Sequence, residues 1–182
     1  MFFQERNGQF RIFITIFLGI LILLMGMMIY IASFYSVLMQ KEQEVEINWS
    51  RLETPYEDRL LKITELVNLG EEKFPEDSET FTAIATIQTD YEQSTDLRDK
   101  IFKMNALEKS LNTLFVEIMN NPELNSISEL TQLNEELEKD KTVLSQSDFN
   151  DSIRGYNLFI TRFPHNILAR IYGFQTLPFL ED

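Results

Sequence analysis

The strongest hydrophobic pattern is an uninterrupted apolar run from Ile12 to Gln40. Between Arg11 and Lys41 the only ionisable side chains are tyrosines. As a helix, this run reaches about 43 Å, whereas the hydrocarbon core of a bilayer is about 30 Å thick. The pattern therefore predicts a transmembrane helix over residues 12–40, preceded by a short polar segment, 1–11.

The alternative to a permanent anchor is a cleaved signal peptide, but the apolar part of a signal peptide is usually about 7–15 residues long. An uncleaved anchor is therefore expected. Arg6, Arg11 and the terminal amine precede the run, and Lys41 and Arg51 follow it. The positive-inside rule then predicts a cytoplasmic N-terminus and an extracytoplasmic domain, by a margin of one charge.

Small residues recur at seven-residue spacing inside the run, at Gly19, Gly26 and Ser33. Because they lie on one side of a helix, they let a second helix approach closely, which predicts self-association in the membrane. The alternative reading is that small residues are common in membrane helices in general.

Beyond the run, apolar residues recur in steps of three and four, the period of an amphipathic helix, and strict strand-like alternation is absent. A weak point falls at Ser145 to Asp148, and Pro55 predicts a kink or a restart in the first helix. The predicted helices cover 41–73, 77–93, 96–120 and 127–163, with a short helix at 166–172 and an apolar tail at 173–182. The expected fold is all-α, with an N-terminal transmembrane helix followed by an antiparallel four-helix bundle over residues 41–172.

Composition narrows the function classes. The formal net charge is −13, which argues against nucleic acid and against anionic lipid as partners of the domain. A hydrophobic content of 44% is sufficient for a folded core. Because the chain has no cysteine, disulfides and thiolate metal sites are excluded.

Candidate catalytic chemistry is sparse. His165 is the only histidine and has no second histidine or cysteine with which to hold a metal, so it is interpreted as a solvent-facing or capping residue. The chain contains no nucleophile elbow, phosphate loop or dinucleotide motif. We therefore expect no enzyme activity, no cofactor and no metal.

One set of polar residues invites a functional reading. Asn150 and Asn157 are seven apart on one helical face, and Tyr156 and Arg59 are expected close by. They form either a polar pocket or partner site, or a hydrogen-bonded set that fixes the register of the bundle. The tail either packs back on the bundle or is an exposed apolar peptide for a partner.

The C-terminal third carries a motif that resembles the closing signature of the LemA family. Its elements are Phe149-Asn150-Asp151, Tyr156-Asn157, Phe163-Pro164, Asn166-x-x-Ala169 and Gly173-Phe174. The chain departs from the family pattern at Thr64-Glu65, which replace a proline-asparagine pair, and is identified as a divergent member. The resemblance implies a single-span membrane protein with a helical bundle behind the anchor, in a family without an established biochemical activity.

Together these features predict a non-enzymatic, single-pass membrane protein that acts as a scaffold or adaptor for other envelope proteins. The alternative is a sensing module that binds a peptide or a small ligand in a groove of the bundle.

Overall fold

The computed structural model describes residues 2–73, 78–145 and 148–181, and these residues form helices without any strand. The predicted limits at residues 1, 77 and 182, and part of the predicted weak point, 146–147, lie outside the described residues. The helices are α1 (Phe2–Lys73), α2 (Ser78–Gln93), α3 (Leu97–Asn120), α4 (Pro122–Asn125), α5 (Ser128–Ser145), α6 (Phe149–Thr161) and α7 (His165–Tyr172).

Helix α1 is continuous over 72 residues, so the polar segment before the apolar run is helical as well from Phe2 onward. It passes through Pro55 without a restart. Proline removes one amide donor, which leaves the carbonyl of Arg51 without its helical partner. Pro55 and Arg51 are both exposed, so water can bind that carbonyl.

The bundle alternates in direction. Helix α2 returns along the C-terminal part of α1, placing Phe81 against Gly70 and Tyr91 against Tyr56. Helix α3 then runs parallel to α1, and α5 and α6 follow α1 back towards its apolar run. The pairs that α5 and α6 make with α1 show this antiparallel path: Lys62–Asp140, Trp49–Phe149 and Phe34–Phe159.

The core of the bundle begins inside the predicted membrane span. Phe34 and Leu38 belong to the buried core, with exposed fractions of 2% and 0%. The predicted boundary between residues 40 and 41 is therefore wrong as a limit of the bundle. Apolar side chains that face another helix are no different in sequence from those that face lipid.

The predicted fourth helix, 127–163, is two helices. Helix α5 ends at Ser145, and α6 begins at Phe149 after a turn at Asp148. Serine and aspartate have low helix propensities, which favours a break at this point of the chain. Helix α6 also ends before the predicted limit, because Arg162 has an extended backbone.

Helix α7 ends in a Schellman motif that turns the chain into the tail. Gly173 has φ +79°, a conformation that glycine adopts without strain. The amide of Phe174 donates to the carbonyl of Ala169 at 2.9 Å. The tail then runs without regular secondary structure back over the bundle.

Candidate functional site

The tail lies in a groove between α3 and α6, where asparagine side chains hold its backbone. Asn157 Nδ2 donates to the Leu177 carbonyl at 2.8 Å, and the Leu177 amide donates back to Asn157 Oδ1 at 2.8 Å. Asn150 makes the same pair of hydrogen bonds with Leu180, both at 2.9 Å. We call Asn150, Asn157 and Asn105, described next, the asparagine clamps.

Asn105 on α3 holds the tail from the opposite side. Its Nδ2 donates to the Phe179 carbonyl at 2.8 Å, and the Glu181 amide donates to its Oδ1 at 3.0 Å. Leu180 is thus held by two clamps. Asn150 binds the amide and the carbonyl of Leu180, and Asn105 binds the Phe179 carbonyl and the Glu181 amide on either side of it. The backbone here is paired on both edges, as in the interior of a sheet.

The spacing of the clamps on α6 matches the spacing of the peptide. Seven residues of helix separate Asn150 from Asn157 by about 10.5 Å. Leu177 and Leu180 are three residues apart, which corresponds to about 9.3 Å in a polyproline II conformation, whose turn is three residues long. Pro178, which lies between them, favours that conformation. Heptad-spaced asparagines can therefore bind every third residue of an extended peptide.

Apolar side chains of the tail follow the same three-residue step. Phe174, Leu177 and Leu180 are partly buried against the core. The Tyr156 hydroxyl donates to the Gln175 carbonyl at 3.2 Å, and burial raises the pKa of Tyr156, with a further contribution from the charge of Glu42. The tail thus packs on the bundle, and its backbone is held by Asn150, Tyr156 and Asn157.

Arg59 has different partners from the other predicted site residues. Its side chain is fully buried, and it forms a two-pronged ion pair with Glu108, with Nε–Oε1 at 2.9 Å and Nη2–Oε2 at 2.8 Å. Nη1 donates to the carbonyl of Leu137. Arg59 therefore joins α1 to α3 and α5, whereas Asn150, Asn157 and Tyr156 bind the tail, so the four predicted residues do not share one set of partners.

Two partners were absent from the sequence prediction, Asn105 and Glu108. Glu108 has a recognisable signal, because it takes a core position in the apolar stripe of α3, four residues after Met104 and three before Leu111. Arg59 takes the equivalent position between Tyr56 and Ile63. Asn105 has no comparable signal, since it lies beside the stripe.

A cavity of about 410 Å³ adjoins the tail on the side of α1. Burial raises the pKa of the Glu42 carboxyl in its wall. Lys100 supplies a positive charge, and its Nζ lies 3.3 Å from Oε1 of Glu53 on α1. The cavity is lined by Glu42, Val45, Glu46, Trp49, Thr95, Leu97, Lys100, Tyr156 and Leu177.

The sequence predicts that His165 is a solvent-facing or capping residue, and in the structure it is half-buried. It begins α7, and its ring packs against Phe159 and Phe34 with centroid distances of 4.3 and 5.7 Å. In the apolar run of α1, Gly19 and Gly26 have no neighbouring atom where a Cβ would stand, and Ser33 is exposed. Self-association through these small residues stays a prediction.

Fold and site together define a class: an all-helical protein in which an apolar N-terminal helix runs on into a bundle that holds its own C-terminal segment. Among the described residues, α1 is the helix long and apolar enough to cross a membrane. The chain belongs to the LemA family, whose family model matches residues 48–182. The LemA family is not a known enzyme family. A comparison with curated proteins finds no match.

The residues that carry this family resemblance are largely those that hold the tail. Asn150 and Asn157 are two of the clamps. Gly173 and Ala169 form the turn that directs the tail into the groove. The signature therefore has a physical meaning in this chain, which is the attachment of the C-terminal segment to α6.

Proposed function

We propose that this protein is a non-enzymatic, single-pass membrane adaptor that holds other envelope proteins close to the bilayer. The observation that carries the proposal is the groove between α3 and α6. It binds an extended segment through backbone atoms, which is a general mode of peptide recognition. Asn105, Asn150 and Asn157 donate and accept six such hydrogen bonds.

The continuity of α1 supports a fixed position of this groove relative to the membrane. Phe34 and Leu38 lie in the bundle core, yet they belong to the apolar run that enters the bilayer in this proposal. A bundle joined to its anchor by a flexible linker would take many orientations. Here the groove stays at one height, where it can meet segments of other membrane-attached proteins.

Cross-linking in native membranes tests the adaptor role. A photo-reactive residue at Phe179, which is 42% exposed on the tail, is expected to capture specific membrane or envelope proteins identified by mass spectrometry. The same residue at exposed Lys139 on α5 is the matched control. Recovery of the chain alone, as a monomer, from both positions would contradict the proposal.

The orientation is proposed from the charge asymmetry, with the N-terminus in the cytoplasm and the bundle outside it. Protease added to intact cells or spheroplasts is then expected to digest the bundle, whereas a tag placed before Arg6 stays protected. Protection of the bundle, with digestion only after lysis, would reverse the assignment.

The cavity beside the tail favours a second candidate function, the binding of a small ligand or of a partner side chain. Its volume of about 410 Å³ falls in the range of ligand pockets. Trp49, the single tryptophan of the chain, lines the cavity and reports on its occupation. A ligand in the cavity is expected to shift Trp49 emission, and Lys100→Ala is expected to weaken binding of an anionic one. A ligand library that changes neither the emission nor the melting temperature would remove this candidate.

A further inference from the structure

Helix α7 presents an apolar side that nothing in the described chain covers. Ile167 and Ile171 are four residues apart in α7, which places them on one side of the helix, and Phe163 lies in the turn just before it. The exposed fractions of Phe163, Ile167 and Ile171 are 75%, 51% and 69%. Leu158, at the end of α6, is exposed as well. Adjacent exposed apolar residues of this size usually mark a contact surface.

Helix α7 lies beside the apolar run of α1. The ring of His165, at the start of α7, stacks with Tyr30 at a centroid distance of 6.2 Å. Tyr172, at the end of α7, meets Tyr35 at 5.1 Å. Both ends of α7 therefore lie beside the same short stretch of α1, residues 30–35.

The part of α1 that precedes residue 30 and contacts no other helix is as long as the hydrocarbon core of a bilayer is thick. Residues 10–29 of α1 are all exposed, and a helix of this length spans about 30 Å, the thickness of the hydrocarbon core. If residues 10–29 fill the core, then residues 30–35 and α7 lie at the boundary between hydrocarbon and headgroups. Tyr30, Tyr35 and Tyr172 are of the residue type enriched at that depth.

The charge of the same region fits a lipid surface. The chain has 29 acidic residues, but none of them lies between Asp151 and Glu181. Arg154, Arg162 and Arg170 all fall in this interval, and all are exposed. Arginine can bury its stem in apolar surroundings while its charge reaches the phosphate groups. Residues 152–180, which contain α7 and most of α6, therefore carry no acidic side chain, and Arg162 and Arg170 lie beside or within α7.

We propose that α7 and the end of α6 form a second membrane contact, in which the apolar side of α7 is embedded in the interface of the bilayer that α1 crosses. The occupant of this surface is lipid. The inference rests on the proposed membrane anchoring of α1. Two contacts, one spanning and one interfacial, fix the tilt of the bundle, which a single helix cannot do. The groove that holds the tail adjoins this contact, since α6 carries Asn157 near its C-terminal end and leads into α7.

Site-directed spin labelling of the full chain tests the proposal, because the chain has no cysteine of its own. Single cysteines are placed at Ile167 and Ile171 and labelled in nanodiscs of zwitterionic lipid. The matched control is Val116 on α3, which is 58% exposed. A label at Leu21 reports on the anchor itself. Because all four side chains are exposed, the substitutions are expected to leave the fold intact, which circular dichroism checks.

The labels at Ile167 and Ile171 are expected to be accessible to oxygen, which concentrates in lipid, and protected from a water-soluble nickel complex. The label at Val116 is expected to show the reverse. If Ile167 and Ile171 behave like Val116 while Leu21 is in lipid, the interfacial contact is wrong and the anchor stands. Protection of Ile167 and Ile171 from both reagents means a protein cover and also overturns the proposal. Nickel access at Leu21 overturns the anchoring and the interfacial contact together.

Discussion

At the scale of single residues, the asparagine clamps explain how a short segment without secondary structure is held in place. An amide side chain presents one acceptor and one donor group side by side. That pair matches the amide and carbonyl of one residue in an extended chain, as the two hydrogen bonds between Asn157 and Leu177 show. Such a clamp binds the backbone of any residue except proline, which has no amide hydrogen to donate. Selectivity is left to the apolar positions, Phe174, Leu177 and Leu180.

Replacing Asn157 with alanine tests the clamp. The variant leaves the amide and carbonyl of Leu177 without their protein partners, and we expect a loss of about 1–3 kcal/mol in the free energy of unfolding. The measurement is a thermal melt of the full chain in detergent. Asn112→Ala, at an exposed position of α3, is the control and is expected to stay within about 0.5 kcal/mol. Equal melting temperatures for the two variants would contradict a stabilising role of the hydrogen bonds made by Asn157.

The ion pair between Arg59 and Glu108 is a second residue-scale prediction. Glu108→Ala leaves a fully buried guanidinium without its carboxylate, which typically costs about 3–5 kcal/mol. The double variant Arg59→Met with Glu108→Leu removes both charges and is expected to regain most of that loss. Chemical denaturation of Arg59→Met, Glu108→Leu and the double variant measures the coupling between the two side chains, and that of Glu108→Ala measures the loss. If the double variant is no more stable than Glu108→Ala, the unpaired charge of Arg59 is not the cause of the lost stability.

Glu42 makes stability depend on pH. Burial raises the pKa of its carboxyl in the folded chain, so the folded state binds a proton more tightly than the unfolded state does. The associated stability is present at low pH and is lost as the pH rises through the folded pKa. Glu42→Gln is therefore expected to stabilise the chain at pH 7, by up to about 0.5 kcal/mol, and to have less effect at pH 4. If Glu42→Gln stabilises the chain more at pH 4 than at pH 7, the pKa of Glu42 is not raised by folding.

At the scale of elements, breaks and close contacts depend on a few special residues. Pro55 does not interrupt α1, because it lies on the exposed side of the helix. By contrast, the turn at Asp148 does separate α5 from α6. Gly70 lets α1 and α2 approach, since a Cβ there would stand 2.1 Å from Cε1 of Phe81.

Gly70→Ala is expected to destabilise the contact between α1 and α2. The added methyl group collides with the buried ring of Phe81, and overpacking of this kind costs about 1–3 kcal/mol. A thermal melt measures the loss, and Phe81→Leu in the same chain is expected to relieve part of it. Gly155→Ala on α6 is the control, because its nearest neighbour is the flexible end of Lys41 at 3.4 Å. Destabilisation by both substitutions alike would point to helix geometry and not to the collision.

At the scale of the whole molecule, α1 is both the apolar helix and the longest wall of the bundle. Its 72 residues extend about 108 Å. The same face of this helix carries Phe34 and Leu38 in the apolar run and Val45 and Trp49 beyond it, all of them in one core. Any change of helical phase between these two groups must therefore damage the bundle.

Insertion of one alanine between Gln40 and Lys41 tests this continuity. It rotates the preceding part of α1 by about 100°, so Phe34 and Leu38 can no longer pack on α6. We expect a loss of about 3 kcal/mol or more, measured by a thermal melt with Trp49 fluorescence. An alanine inserted between Leu24 and Met25, where α1 is bare, is the control and is expected to leave the melt unchanged. Equal effects of the two insertions would contradict a shared core.

Much of this architecture could be predicted because it follows from local patterns. The three- and four-residue steps of apolar positions identified the helices, and the family signature identified the C-terminal region. The locations of the partners could not be predicted. An asparagine on a helix face does not reveal that its amide will bind a backbone 20 residues further along, as Asn157 binds Leu177. Arg59 and Asn150 are both candidates for the same polar site in the sequence, yet Arg59 binds α3 and α5 and Asn150 binds the tail.

The sequence by itself determined the helical class, the apolar N-terminal helix and the LemA resemblance, since periodicity, hydropathy and motif are properties of neighbouring residues. Tertiary structure decided where the apolar run becomes bundle core, because apolar side chains suit lipid and protein equally well. It also decided that the tail lies between α3 and α6, and that α7 stands beside residues 30–35 with its apolar side open. These depend on which faces meet in space, and only the packed chain defines those faces.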